Sequence, residues 1–383
     1  MSGHSILPPS GAKAWAKCPM WVTMNQLYPK APTPESMEGD AAHWVAWEIV
    51  AGRPVAEGQL APNGVTVTDE MIDGGELMAD TLRARMPLDK FDKWHVEEPV
   101  KISRIHTQCW GTPDVWGFSR FYAEAPIVVE VVDYKFGHRY VDAFENEQGG
   151  SYGAGVIFTI ADMLKVGPGI LDQGLIFNFT VVQPRCYVGS SPVRTWSTRG
   201  TDLRPLFNAL QMAAEKALGK NPEAVTNSEC RDCAGRHACV ALQQAAYGDA
   251  ETAYKSVPVE LEPTAASLEL RMLERGLERL QARVEGLRET VTAYARQGHP
   301  VLFHRVEQGF GRQTWTVPPE QVISLGQLMG VDLSKPAIVT PKQAVKAGID
   351  EAVIKAYSNT PMGAIKLVPT NPADARRVFG VNN

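Results

Sequence analysis

The chain has 383 residues, of which 44% are hydrophobic and 21% charged, an ordinary globular composition with enough apolar mass for two or three cores. No apolar run approaches the roughly 20 residues needed to span a bilayer, and Met1 to Ser10 lacks a basic stretch followed by an apolar one, so we expect no membrane partner, no secretory signal and a cytosolic location. The formal net charge of −5 does not advertise a nucleic-acid binder, but a protein that grips a few phosphates needs only a local basic strip, and a carboxylate-lined metal site adds negative charge of its own.

Residues 1–34 form an irregular, Pro-rich opening around Ser10 to Leu27, which has helical texture. Glu35 to Val50 reads as a helix, with Trp44, Val45 and Trp47 to Val50 supplying apolar surface, and Asp69 to Arg85 as a second. Beyond Pro87 the pattern changes to strands: Trp94 to Ile102, Gln108 to Phe118 and Ile127 to Lys135. The run Ile127-Val-Val-Glu-Val-Val132 is β-branched and nearly all apolar, as expected of a buried central strand. A helix over Ala143 to Met163 and a strand over Leu175 to Val182 complete the order helix, strands, helix, strand. That order predicts an α/β core at about 35–190, with a mixed central sheet flanked by helices.

Residues 202–219 read as helical, and a cysteine cluster follows in a segment placed at 191–250. After the Pro-flanked linker Val257 to Pro263, a C-terminal region (264–383) opens on a long helix and continues as short helices and strand-like stretches (Val301 to Val306, Gln313 to Val317). In the long helix, Leu270, Leu273, Leu277, Leu280, Val284, Leu287, Val291 and Tyr294 alternate spacings of three and four, an a/d heptad seam. Such a seam packs either against other helices of its own chain or against a second copy or partner.

Cutting a phosphodiester requires an activated water, neutralised phosphate charge and a stabilised leaving oxygen. Mg²⁺ or Mn²⁺ held by oxygen ligands near a lysine meets all three needs. Pro113-Asp114 followed by Asp133-Tyr134-Lys135 offers such a set. A hairpin would bring the two carboxylates side by side, and Asp133 and Lys135, two apart on a strand, share a face. A match of this kind recurs by accident in many chains, and three further features change its weight. His43, one turn after Gly39, could add a nitrogen ligand, the glycine letting the helix approach another backbone closely. Gln148 and Tyr152, at i and i+4, share a helix face. Cys230-x₂-Cys233-x₅-Cys239, with Cys18 far upstream, supplies four thiolates suited to an iron–sulfur cluster or tetrahedral zinc, and His237 keeps a Cys₃His zinc site open. Cys109 and Cys186 read as plain thiols.

Taken in order, His43, Pro113-Asp114, Asp133-Tyr-Lys135, Gln148-x₃-Tyr152 and the one-plus-three cysteines resemble the RecB-like nucleases, nearest the iron–sulfur branch that includes CRISPR-associated exonucleases and the AddB nuclease domain. His4-Ser5, Cys18-Pro19, Asp133-Tyr-Lys-Phe-Gly137 and Gln183-Pro-Arg185 look closer still to an uncharacterised phage-encoded family. The resemblance spans about 4–240, and the C-terminal third is similar to that phage family alone. It implies a PD-(D/E)xK restriction-endonuclease-like core. Metal ligands would be His43, Asp114, Asp133 and the carbonyl of Tyr134, with Lys135 catalytic and Gln148 and Tyr152 as an additional motif. It also implies a [4Fe–4S] cluster on Cys18, Cys230, Cys233 and Cys239. The expected activity is DNA end processing, as an exonuclease, in phage recombination or replication within the host cytosol. The partners would be DNA and a recombination or single-strand-binding protein. The rival reading is a catalytically silent DNA-binding or scaffold protein, against which the intact Asp-Asp-Lys set argues. Gly149 departs from the pattern, since relatives carry an apolar residue after the glutamine, and Gly149-Gly150 predicts a bend there.

Overall fold

A computed structural model describes residues 5–119, 126–172, 174–186, 191–254, 260–310, 314–333, 341, 344, 348–359 and 362–369; His4 lies outside them. The chain divides into two compact units, 1–283 and 284–383, the division falling within one long helix.

The first unit is α/β. Strands β1 (His95–Val96), β4 (Val115–Phe118), β5 (Val128–Tyr134), β6 (Ile176–Val182) and β7 (Val193–Arg199) form one mixed sheet in the order β1-β4-β5-β6-β7. Only β5 and β6 run parallel, and the remaining neighbours are antiparallel. A small antiparallel pair, β2 (Val100–Lys101) and β3 (Trp110–Gly111), stands beside the sheet. Helices cover both faces. Before the sheet come α1 (Ala12–Lys17), α2 (Met20–Leu27), α3 (Pro34–Val50) and α4 (Asp69–Arg85). α5 (Glu147–Leu164) follows β5, α6 (Arg204–Ala217) follows β7, and α7 (Val240–Ala253) comes after the cysteine segment.

The alternation of β5 separates the two cores. Val129 and Val131 face a cluster with Ala154, Ile157, Phe177, Phe207 and, from the chain's start, Leu7 and Trp15. Val132 and Tyr134 face the opposite cluster, with Val45, Met71, Met78 and Leu82 of α3 and α4. Glu130 on that side is buried but fully engaged, accepting bonds from Arg85, Asn178 and Thr180, so this carboxylate is a structural member of the sheet.

Several expected elements are broken, each for a visible reason. Ser10 to Leu27 is two helices separated at Cys18-Pro19. Trp94 to Ile102 is interrupted at Glu97, whose φ of +52° lies in the left-handed region. Gln108 to Phe118 is interrupted at Thr112-Pro113-Asp114, where Asp114 turns its carboxylate to the neighbouring strand. The predicted bend at Gly149-Gly150 is absent, and α5 runs unbroken from an Asn146 cap whose side chain accepts from the Gly149 amide. Nor does Gly39 mediate a close approach, since open space surrounds it; α3 and α4 close instead at Gly75, where a Cβ would lie 3.2 Å from the Ala46 Cα.

The second unit holds the end of α8 (Pro263–Arg296), an antiparallel pair β8 (His304–Phe310) and β11 (Met362–Pro369), a pair β9 (Thr314–Trp315) and β10 (Ser358–Asn359), and helices α9 (Pro319–Leu328) and α10 (Glu351–Tyr357) around Val322, Leu333, Ile349 and Ile354. No helix among the described residues is long and apolar enough to cross a membrane.

Candidate metal centre and cysteine site

The register of β4 and β5 pairs Val115 with Val132, which makes Asp114 and Asp133 the adjoining pair at the carboxyl end of the central strand. The Tyr134 amide donates to Asp114 Oδ2 at 2.7 Å, fixing that side chain across the strand ends. Asp133 sits on the α5 side of the sheet. Its Oδ1 accepts from Lys135 Nζ at 3.0 Å and from Gln148 Nε2 at 2.8 Å. Its Oδ2 is buried and has no hydrogen-bond partner among the described residues. A buried, unpaired carboxylate oxygen costs folding free energy unless something else coordinates it.

The other face contributes His43 from α3. Its Nδ1 lies 3.6 Å from Asp114 Oδ1, and its ring packs edge-on against Tyr134 at 5.2 Å and Trp47 at 5.8 Å. Tyr134 thus serves the site through its ring and amide. Tyr152 donates to the Thr112 carbonyl at 3.0 Å, holding the loop that carries Asp114. Gly149 has a packing purpose: a Cβ there would lie 2.5–2.7 Å from the Phe179 ring, so the glycine lets Gln148 come down onto Asp133.

Glu97 is the member that sequence reasoning missed. One ligand atom each from His43, Glu97 and Asp114 lies within 4.8 Å of the others. Glu97 donates its amide to the Asp114 carbonyl at 3.0 Å, and its Oε1 accepts from Trp47 Nε1 at 2.9 Å. Its left-handed backbone, of order 1 kcal/mol uphill for a residue with a Cβ, aims the side chain at the cleft. The signal was faint, because Glu97-Glu98 inside an expected strand reads as an ordinary solvated face.

The charges are mutually adjusted. Burial pushes Asp133 up to about 6, against the pull of Lys135. Burial works against the Lys135 ammonium, but Asp133 and Asp114 outweigh it and hold that group above the usual lysine range. Glu97 is raised by burial and then by the Asp114 carboxylate. The set is short of positive charge, and its donors are hard oxygens and an imidazole nitrogen, a combination that suits a small divalent cation.

A second site gathers the distant cysteines. Cys18, Cys230, Cys233 and Cys239 line one pocket with Trp21, Met24 and Leu242. All six cysteines are free of disulfides. The Val225 amide donates to Cys18 Sγ and the Asn227 amide to Cys230 Sγ, each at 3.4 Å, an arrangement that stabilises sulfur carrying negative charge. Burial pushes Cys233 up to about 11. His237 does not belong to this lining. Its ring packs on Tyr28 at 4.5 Å, and its carbonyl accepts from Arg283. Cys109 is buried and bonds the Leu7 carbonyl, and Cys186 is buried.

Three basic residues near the site are engaged within the chain. Arg185 pairs with Glu38 and Glu70 and stacks over Phe136, Arg139 pairs with Asp232, and Arg194 is held by Gln183 and the Val141 carbonyl. Gln183 in turn donates to the carbonyls of Gly137 and Arg139, pinning the loop that follows Lys135. The Gln183-Pro-Arg185 stretch is thereby a brace for the site.

The family model described as "Protein of unknown function (DUF2800)" matches residues 4–373, so the chain belongs to that family.

Proposed function

We propose that this DUF2800 protein is a metal-dependent DNA nuclease with a PD-(D/E)xK core, acting as an exonuclease on DNA ends in phage recombination or replication. The observation that carries this reading is the placing of two sets at one strand end: His43, Glu97 and Asp114, whose ligand atoms lie within 4.8 Å of one another, and the adjoining Asp133, bonded to Lys135 and Gln148, with its Oδ2 buried and unpartnered among the described residues. The donor set fits Mg²⁺ or Mn²⁺, which His43, Asp114 and Asp133 would hold, with Glu97 as an additional carboxylate. When bound, such a cation neutralises phosphate charge and lowers the pKa of a coordinated water.

The chain's own groups do the rest. Lys135 keeps its proton beside two carboxylates and presents an ammonium, its side chain 30% exposed, to an incoming phosphate. Gln148 and Lys135 both bond Asp133 Oδ1, which leaves Oδ2 for a cation. Tyr152 and the Tyr134 amide keep Asp114 in place.

The test is incubation of the purified protein with end-labelled linear and circular DNA, with and without Mn²⁺. We expect metal-dependent loss of label from the linear DNA while the circular DNA stays intact, and a drop of about 10²–10³-fold in Lys135→Ala, the scale seen when a group acting on the transition state is removed. Undiminished activity in Lys135→Ala would remove the assignment, and metal-independent DNA binding without cleavage would favour a silent scaffold.

We infer further that the four cysteines hold a [4Fe–4S] cluster. Their single pocket and the amide donors on sulfur support this reading. Anaerobic purification should give four irons and four sulfides per chain. Zinc without iron would replace the cluster and leave the nuclease reading standing.

A further inference from the structure

The long helix α8 (Pro263–Arg296) carries two separate faces. One is docked on its own chain. Gly276 lies against Asp249, where a Cβ would sit 3.3 Å from the Asp249 Cγ. Arg279 grips the Asp249 carboxylate with two bonds of 2.6 Å, Ala282 is buried, and Arg283 donates to the His237 carbonyl. The other face is the heptad seam. In the described structure Leu270, Leu273, Leu277, Val284, Leu287 and Tyr294 are all exposed, between 40% and 59%. Single exposed leucines are unremarkable, but a continuous stripe of six at a/d spacing marks a surface awaiting an occupant.

We propose that this occupant is a second copy of the chain, with the two α8 helices packed antiparallel. The argument is charge and register. With Leu270 at a, the e positions are Glu274, Gln281 and Arg288, and the g positions include Glu269 and Arg283. A parallel pair would set g against the following e of its partner, opposing Glu269 to Glu274, like charges. An antiparallel pair sets e against e. Layers Leu270–Tyr294, Leu273–Val291, Leu277–Leu287 and Leu280–Val284 then all close in one register. That register places Glu274 beside Arg288 of the second copy, twice by symmetry, with the two Gln281 side chains meeting at the axis. The g edge needs no partner charge because Gly276 and Arg283 are already committed to their own chain. A two-fold interface of this kind closes on itself, so the assembly stops at a dimer.

The experiment is sedimentation of the full-length protein across concentration, with three variants. We expect a dimer. Glu274→Arg should raise its dissociation constant about tenfold or more, since two attractive pairs become repulsive. The double variant Glu274→Arg/Arg288→Glu should recover wild-type association, because the pairs are restored with signs exchanged. These residues are solvent-facing, so circular dichroism should be unchanged. Leu277→Glu should give a monomer. A wild-type protein that stays monomeric at tens of micromolar would overturn the proposal, as would a dimer indifferent to Glu274→Arg. A double variant that fails to recover would overturn the antiparallel register.

Discussion

At the residue scale, Asp133 is where function and stability pull apart. Its carboxylate is buried with one oxygen unpaired, and burial raises its pKa to about 6 from an ordinary 3.8. The native state therefore binds more protons than the unfolded chain between those values. The stability this proton contributes is full below 3.8 and lost as the pH rises through 6. The gap corresponds to roughly 3 kcal/mol. We predict that metal-free protein melts at a lower temperature at pH 7.5 than at pH 5.5, and that Asp133→Asn flattens this slope. Asp133→Asn should also raise metal-free stability at neutral pH by about 1–2 kcal/mol, less than the full gap because Lys135 loses a partner. Urea titrations at the two pH values measure both effects. An Asp133→Asn protein less stable than wild type at pH 7.5 would mean that the carboxylate is structurally satisfied, contrary to what its unpaired oxygen indicates.

At the scale of elements, the sequence was legible wherever one physical signal dominated. The β-branched run at 127–132 marked the central strand, and the spacing of Asp133 and Lys135 placed both on one face, as their 3.0 Å contact bears out. The Gln148-x₃-Tyr152 spacing likewise put both side chains toward the Asp114 loop and Asp133. What was not legible depends on tertiary packing. Glu97 lies in a left-handed kink that no local pattern announces, and Gly149-Gly150 read as a bend in the helix because their neighbours in space were unknown. Phe179 is the reason for Gly149, and it lies 30 residues on. Gly149→Ala should therefore destabilise by about 1–3 kcal/mol through overpacking, despite the helix propensity of alanine. The same change at Gly248 in α7, where nothing lies within 4 Å, should stabilise by up to about 1 kcal/mol. Denaturant midpoints separate the two, and equal gains at both positions would contradict the packing account.

At the scale of the whole molecule, the cysteine site joins segments more than 200 residues apart, and loop-closure reasoning would make it a principal fastening of the chain's start. Packing indicates otherwise. Leu7 and Trp15 are wholly buried in the main core, the Trp15 indole donates to the Pro8 carbonyl and Cys109 bonds the Leu7 carbonyl, so the start of the chain is anchored independently of the cysteine site. The more weakly held side is the other partner, tied beyond the pocket through His237, whose ring packs on Tyr28 and whose carbonyl accepts from Arg283. The turn Ser228–Asp232 has no buried residue, and its ties outside the pocket include the half-exposed pair Lys13–Glu229 and the exposed pair Arg139–Asp232, the latter worth little by itself. A group bound by the four thiolates would thus fasten 225–239 onto an N-terminal segment already in place. The expected consequence of Cys18→Ser is local. Bound metal is lost, and trypsin cuts faster at Arg231 and Arg236, while the main unfolding transition moves by less than about 1 kcal/mol, because opening a weakly packed segment need not unfold the core. Limited proteolysis followed by mass spectrometry, beside thermal melting of the same sample, reads both quantities. If the main transition collapsed together with the protection of Arg231, the cysteine site would be holding the sheet itself, and the division of labour drawn from Trp15 and Leu7 would be wrong.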